Sequence, residues 1–396
     1  MNVDVIVGPD VVADLDLVRE LAEAEFAGLG VDGTVREAGL GVDGTVRGAG
    51  LGVDGTVREA RLGVDGTVRE ARLGVDGTVR EAPDLAAALE GATGAVVALP
   101  GPTAPARRLM TTPGRHVPRT VWLDLTATGP QPVAAGSEHH QGREIWGVTW
   151  AVRRAVHRLR HPARRIAYGP DAEQWGELRL PAGTGPVPVA VLLHGGFWRS
   201  VWGADLMDAM AIDLAQRGFA AWNLEYRRPD RHGWAATTAD VAAGLAFAGA
   251  ADARVDPSRL VLFGHSAGGQ LAVRAAADAP GAVSVVVSQA GVLDLAEGQR
   301  RGIGTGAVAA ALRGDEAALA AADPMLRLPL GVPVVVVQGR ADGLDLVDMS
   351  RRYARAALAA GDRVIRLELA ADHFDVIDPR TPAWAATMDA VTKILT

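Results

Sequence analysis

This sequence predicts two α/β domains, each built on a mostly parallel sheet with helices packed on its faces. Three observations carry the expectation. Short apolar runs of strand length alternate with segments whose apolar residues recur at helical spacing. Two of the runs, 187–193 and 259–263, lead straight into the glycine-rich turns His194-Gly195-Gly196 and Gly264-His265-Ser266. The chain has 396 residues, more than one core usually serves, and Pro162 ends a basic helix short of its middle.

Composition narrows the function before any motif is read. The chain is 48% hydrophobic with a formal net charge of −7, and this mild acidity gives no support for a nucleic-acid partner. There is no cysteine, which excludes disulfides, thiolate metal sites and a thiol nucleophile. No metal and no cofactor is expected. The first seven residues lack the basic stretch and apolar core of a signal peptide, and no run approaches the roughly 18 apolar residues of a membrane span. The expectation is a cytoplasmic protein with no membrane partner.

The first domain is expected over 1–160. Residues 2–7 alternate valine and isoleucine with polar residues and stop at Gly8-Pro9, a strand and its turn. Residues 11–27 carry Leu15, Val18 and Leu21 at helical spacing. An eleven-residue unit, G-L-G-V-D-G-T-V-R-E-A, then runs five times over 28–82. Its near-identical copies read as recent tandem duplication. Each copy has one Asp-Gly, a hairpin-turn signal, followed by a stretch of strand character. A flexible insertion, a small β-meander or β-solenoid, and a binding module all remain open. A calcium role is rejected, because each unit supplies one carboxylate where a calcium loop alternates several. Beyond the repeats the α/β pattern resumes. A helix follows Pro83, strands cover 94–99 and 120–125, and a helix starts at Ala106. Val148, Val152, Ala155, Val156 and Leu159 share one face of a further helix. Its opposite face, with Arg153, Arg154, Arg158 and Arg160, reads as a solvated or domain-facing surface rather than an anion site.

The second domain is expected over 166–396, and four signals in it share one logic. Gly264-x-Ser266-x-Gly268 joins a strand to a helix through a bend so sharp that the Ser266 hydroxyl is forced outward, as a nucleophile requires. The Ala267 amide, at the helix start, then points to where an oxyanion would form. His194-Gly195-Gly196-Phe197-Trp198 follows a buried strand, and its adjacent glycines let backbone N–H groups of Gly195, Gly196 and Phe197 approach a substrate oxygen. Phe197, Trp198 and His265 are expected to wall the substrate pocket. Asp342 stands just past the strand 332–337, where an acid can orient a histidine; Asp345, Asp348 and Asp294 are alternatives. His373 follows the last strand, 364–369, where a general base for Ser266 belongs, with His265 as its rival. Residues 291–331 lack strand signals, hold two alanine-rich helical patches and would form a small cap.

The order Ser266, Asp342, His373 is that of α/β-hydrolases, and 166–396 resembles that superfamily. Within it, His194-Gly-Gly-Phe-Trp198, Gly264-His-Ser-Ala-Gly-Gly269 and Asp372-His-Phe-Asp375 are similar to kynurenine formamidases (arylformamidases) and short-chain carboxylesterases. The resemblance implies Ser266 as nucleophile, His373 as base, Asp342 as its orienting acid, and a small ester or aryl-formamide as substrate. Gln338 departs from the pattern, since many relatives carry histidine there, and no role attaches to it. A prolyl-oligopeptidase-like peptidase is a rival on the same fold. The region up to about 160 resembles type II dehydroquinase, a flavodoxin-like lyase domain, through the strand ends at Gly8-Pro9 and Pro100-Gly101. The lyase chemistry does not carry over, because the first tyrosine is Tyr168 and no histidine stands at the strand end Asp124-Leu125-Thr126. A packing, sensing or homo-oligomerising role is then expected of that domain, and a non-catalytic binding protein is the remaining alternative.

Overall fold

The computed structural model describes residues 1–38 and 84–395, and four of the five repeat copies lie outside them. The chain divides into two compact units, Met1–His161 and Pro162–Thr396.

In the N-terminal unit five strands form one all-parallel sheet: β1 (Asn2–Val7), β2 (Asp32–Glu37), β3 (Ala95–Leu99), β4 (Thr120–Asp124) and β5 (Glu138–Gln141). Their order is β2-β1-β3-β4-β5, a doubly wound arrangement. Alternate residues of each strand serve opposite layers, as the pleat requires. Val3, Val5, Val97 and Leu123 pack on the helices Leu15–Leu29 and Gly147–Arg160. Ile6, Val96, Ala98 and Trp122 pack on Leu85–Gly91 and Ala104–Leu109.

Three expectations are corrected here. The first repeat copy, 28–38, is not a hairpin. Gly30 caps the first helix in the left-handed conformation (φ 58°), and Asp32-Gly33 lies inside β2, paired in parallel with β1. That helix starts at Leu15 rather than at residue 11, because the Asp14 carboxylate accepts the N–H groups of Asp16 and Leu17. The arginine face of the last helix, expected to be solvated or domain-facing, is engaged within the unit: Arg154 is buried, Arg153 and Arg158 are half-buried, and Arg160 stays exposed. Arg153 and Arg154 make paired hydrogen bonds to Glu25 and Glu138, all at 2.8 Å, and Arg160 caps the first helix through the carbonyls of Leu29 and Gly30. The guanidinium groups tie helices and strand together within the unit.

The C-terminal unit holds β6 (Arg164–Ala167), β7 (Trp175–Arg179), β8 (Val187–Leu193), β9 (Ala220–Leu224), β10 (Val255–His265), β11 (Val285–Gln289), β12 (Val334–Gly339) and β13 (Val364–Leu369). They form one sheet in the order β13-β12-β11-β10-β8-β9-β7-β6. Only β7 runs against the rest. The central strands are rich in valine and leucine because both faces are covered by helices. The interval 291–331, between β11 and β12, carries three helices, Leu295–Arg301, Ile303–Leu312 and Glu316–Ala322, where two patches were expected. Ile303–Leu312 is broken near its start, where Gly304, Thr305 and Gly306 take left-handed conformations.

Candidate active site

The site is assembled at the carboxyl ends of the parallel strands, where an open α/β sheet leaves a crevice. β10 ends at His265, and the helix Ala267–Asp278 begins two residues later. Ser266 alone makes the turn, at φ 55° and ψ −118°, a conformation that costs a non-glycine residue free energy and is held by its surroundings. Its N–H donates to the Gln289 carbonyl at 2.8 Å, and its carbonyl accepts from Gly269 and Val292 at 2.9 and 3.2 Å. The turn is thus fastened to the strand end beside it. Glycine is required around it for close approach. A Cβ at Gly264 would strike the backbone of Gly268, and one at Gly268 would strike the Leu193 carbonyl.

The loop after β8 lies directly against this turn. A Cβ on Gly195 would sit 2.9 Å from the Ser266 Cβ and 2.8 Å from the His265 carbonyl oxygen. Gly196, Phe197 and Trp198 follow with φ of 109°, 49° and 56°. Three successive positive φ values, two on bulky residues, mark backbone strain of the kind that clusters at functional sites. The loop is held from below. Tyr226 donates its hydroxyl to the His194 carbonyl at 2.7 Å, and the two rings stack at 4.3 Å. Ala267, first in its helix, has an N–H with no intrahelical acceptor.

His373 and Asp342 come together on the neighbouring loops. The His373 Nδ1 lies 2.8 Å from Asp342 Oδ2. The loops that carry them are joined by backbone bonds, from Arg340 to Leu369 at 2.8 Å and from Ala341 to Ala371 at 3.0 Å. Asp372 shapes the histidine loop: its carboxylate accepts the N–H groups of Phe374 and Asp375, both at 2.8 Å. Burial alone would raise the Asp342 carboxyl. Hydrogen bonds from His373 and Gln338, the His373 charge and the Gly343 amide outweigh it and hold the group below the usual carboxylate range. The alternative acids are engaged elsewhere: Asp345 and Asp348 pair with Arg301, and Asp294 caps the 295–301 helix and pairs with Arg352.

Ser266 is 2% exposed, and among the described residues its hydroxyl makes no hydrogen bond. Its link to His373 runs through its neighbour. His265 Nε2 lies 2.9 Å from the His373 carbonyl oxygen, and the two rings are 4.7 Å apart. His265 is 1% exposed; burial and the nearby His373 charge push its imidazole down to about 3, so it is neutral across the working range. It is therefore not an open pocket wall, and that expectation is corrected: the ring sits against the main chain of the histidine loop. Trp198, expected at the pocket wall, is 2% exposed and packs edge-on against Trp234 at 5.9 Å in the core. Phe197 is only partly buried, and its ring lies against Gly304 of the 291–331 segment. Arg199 joins the same segment through the Gly304 carbonyl at 2.7 Å.

Sequence reading missed Gln338. Its Nε2 donates to Asp342 Oδ2 at 2.8 Å, and its Oε1 accepts from Ser350 at 2.8 Å. The signal was present, a buried amide at the end of an all-valine strand four residues before the acid.

Residues 177–351 match the family described as BD-FAE. Esterase LipC of Mycobacterium tuberculosis is 33% identical over 131 residues, which is 31% of this chain and 30% of that protein. The match therefore spans less than a third of the relative's length. Among solved structures, esterase B of Lactobacillus rhamnosis superposes with a TM-score of 0.52 at 18% identity, covering 58% of this chain and 83% of that one. A bacterial heroin esterase superposes with a TM-score of 0.50 at 24% identity, covering 59% of this chain and 83% of that one. These likenesses show that the C-terminal unit has the α/β-hydrolase fold.

Proposed function

We propose that this chain is a serine hydrolase that cleaves small carboxylic esters through an acyl-enzyme. The observation that carries the reading is the 2.8 Å contact of His373 Nδ1 with Asp342 Oδ2, on loops fastened to the strained turn at Ser266. In this reading the Ser266 hydroxyl oxygen attacks the acyl carbon while His373 Nε2 takes its proton. Asp342 fixes the imidazole tautomer and stabilises the imidazolium. The amides of Gly196, Phe197 and Ala267 receive the negative charge that develops on the carbonyl oxygen, with Gly195 allowing their approach. The alcohol leaves with the proton from His373, and water activated by the same imidazole releases the acid.

Esters are preferred over aryl-formamides because the relatives that match in sequence and fold carry the name esterase. The test is a panel of short p-nitrophenyl esters beside N-formylkynurenine. Hydrolysis of acetate to butyrate esters that is lost in Ser266→Ala supports the reading. Turnover of the formamide alone would replace the ester, and full rates in Ser266→Ala would remove the nucleophile.

For the N-terminal unit a flavodoxin-like reading is supported by the order β2-β1-β3-β4-β5. We assign it no reaction. At the end of β4, Asp124 is held by Arg107 at 2.6 Å, His139 at 2.9 Å and Thr128 at 3.1 Å. Burial would raise this carboxyl, but those hydrogen bonds and charges hold it at about 2, the state of a closed structural ion cluster. A packing or self-associating role fits it.

A further inference from the structure

We infer that Gln338 is a positioning residue of the candidate hydrolytic site, which sets the proton affinity of the Asp342–His373 pair through the carboxylate oxygen that the two donors share. The inference rests on the reading of Asp342 and His373 given above and adds to it a residue that touches neither substrate nor nucleophile.

Asp342 Oδ2 receives two donors, His373 Nδ1 and Gln338 Nε2, each at 2.8 Å. Oδ1 receives the Gly343 N–H at 2.6 Å. Gln338 is 1% exposed, so water cannot take its place. The second hydrogen of its amide goes to the Gly339 carbonyl at 3.2 Å. Its orientation is set from the other side by Ser350, whose hydroxyl lies 2.8 Å from Oε1. A flipped amide would turn its carbonyl oxygen toward a carboxylate, so only one orientation is stable. The chain of contacts therefore runs from Ser350 on the helix Leu344–Ala359, through Gln338 at the end of β12, to Asp342 and His373.

A neutral donor is chemically suited to this place. It stabilises the carboxylate without bringing a positive charge, which would oppose protonation of His373 outright. It also draws electron density from the oxygen that faces the imidazole, so that oxygen attracts the imidazolium less strongly. With the donor removed, the oxygen becomes more basic and the imidazolium is favoured. The base then deprotonates at higher pH, and the carboxylate is also less firmly aimed.

The test compares Gln338→Leu, Gln338→His and Ser350→Ala with the unaltered chain. The readouts are kcat and KM for a p-nitrophenyl ester, and the pH dependence of kcat/KM and of labelling by a fluorophosphonate. We expect Gln338→Leu to lower kcat about tenfold, the scale of one lost hydrogen bond to a charged group, with KM unchanged. Its acid limb should move to higher pH. Gln338→His, which keeps a donor, should restore both. Ser350→Ala should move the limb the same way by less, and it answers the question if the leucine variant fails to fold. Wild-type kcat and an unmoved limb in Gln338→Leu and Ser350→Ala would overturn the inference. A uniform loss of rate with no movement of the limb would also overturn it, because that is what simple loosening gives. Asp342→Asn separates the two levels. If it abolishes activity while Gln338→Leu keeps wild-type kcat and an unmoved limb, only this inference fails; if it leaves activity intact, the parent reading fails.

Discussion

The His265 ring nitrogen Nε2 lies 2.9 Å from the main-chain carbonyl oxygen of His373. The residue that precedes the candidate nucleophile thereby holds the loop that carries the candidate base. The contact needs a proton on Nε2, and since burial keeps the ring neutral, that nitrogen carries the ring's one N–H. His265→Ala should lower kcat about tenfold while leaving KM for a small ester near its original value. His265→Gln, which keeps a donor near that position, should recover most of the rate. Steady-state kinetics on both variants checks this.

The same burial has a consequence for stability. The folded-state pKa of His265 is depressed to about 3 from an ordinary 6.5, so the unfolded chain binds this proton first. The stability that His265 contributes is complete above about 6.5 and is lost as pH falls from there toward 3. Thermal unfolding of the C-terminal unit should therefore shift to lower temperature across that window. In His265→Gln the shift should be smaller, and equal slopes in the two proteins would contradict the assignment.

Asp342→Asn preserves shape but presents an amide to His373 and selects the wrong imidazole tautomer. In serine hydrolases of this geometry such a change lowers kcat by about 10⁴-fold. We expect a loss of that order, with circular dichroism and Tm close to the original.

A methyl group at Gly195 would meet the Ser266 Cβ, so Gly195→Ala should act on the reaction more than on the fold. The added methyl must displace either the Ser266 turn or the His265 carbonyl, at 2.9 and 2.8 Å. Overpacking of this kind costs about 1–3 kcal/mol. Ester hydrolysis should fall more than the Tm shift alone explains, and equal effects on both would show that the loop is merely structural.

Excising residues 39–82 leaves the copy 28–38, whose helix end and strand β2 already complete the order of the N-terminal sheet. Ester hydrolysis by the shortened chain should stay within about twofold of the original, since β2 supplies its own sheet position. A collapse of activity or solubility would assign the further copies a structural role.

The site was legible where local chain geometry dictates chemistry. Glycines flanking Ser266 and paired glycines after His194 are required by close approach of the backbone, and an acid and a histidine just past parallel strands lie where the strand ends converge. Long-range satisfaction was not legible. β5 reads Glu138-His-His-Gln141, with no apolar run to announce a strand, because its polar side chains are answered by Arg154 and Asp124 from other elements. Gln338 escaped for the same reason, since its partners lie four and twelve residues away on different elements. The Asp-Gly of the first repeat misled because the hairpin signal is local, whereas pairing with β1 is decided by the sheet. Proximity in sequence to reactive positions suggested a pocket wall for Trp198 and His265, but the side chains of both are buried.

The most direct test of the central claim is the site of covalent modification by a fluorophosphonate, read by mass spectrometry of the digested protein. The account predicts one adduct per chain, on Ser266, formed at a rate that falls as His373 becomes protonated and absent from Ser266→Ala. An adduct on another residue, or labelling of Ser266→Ala at the original rate, would contradict it.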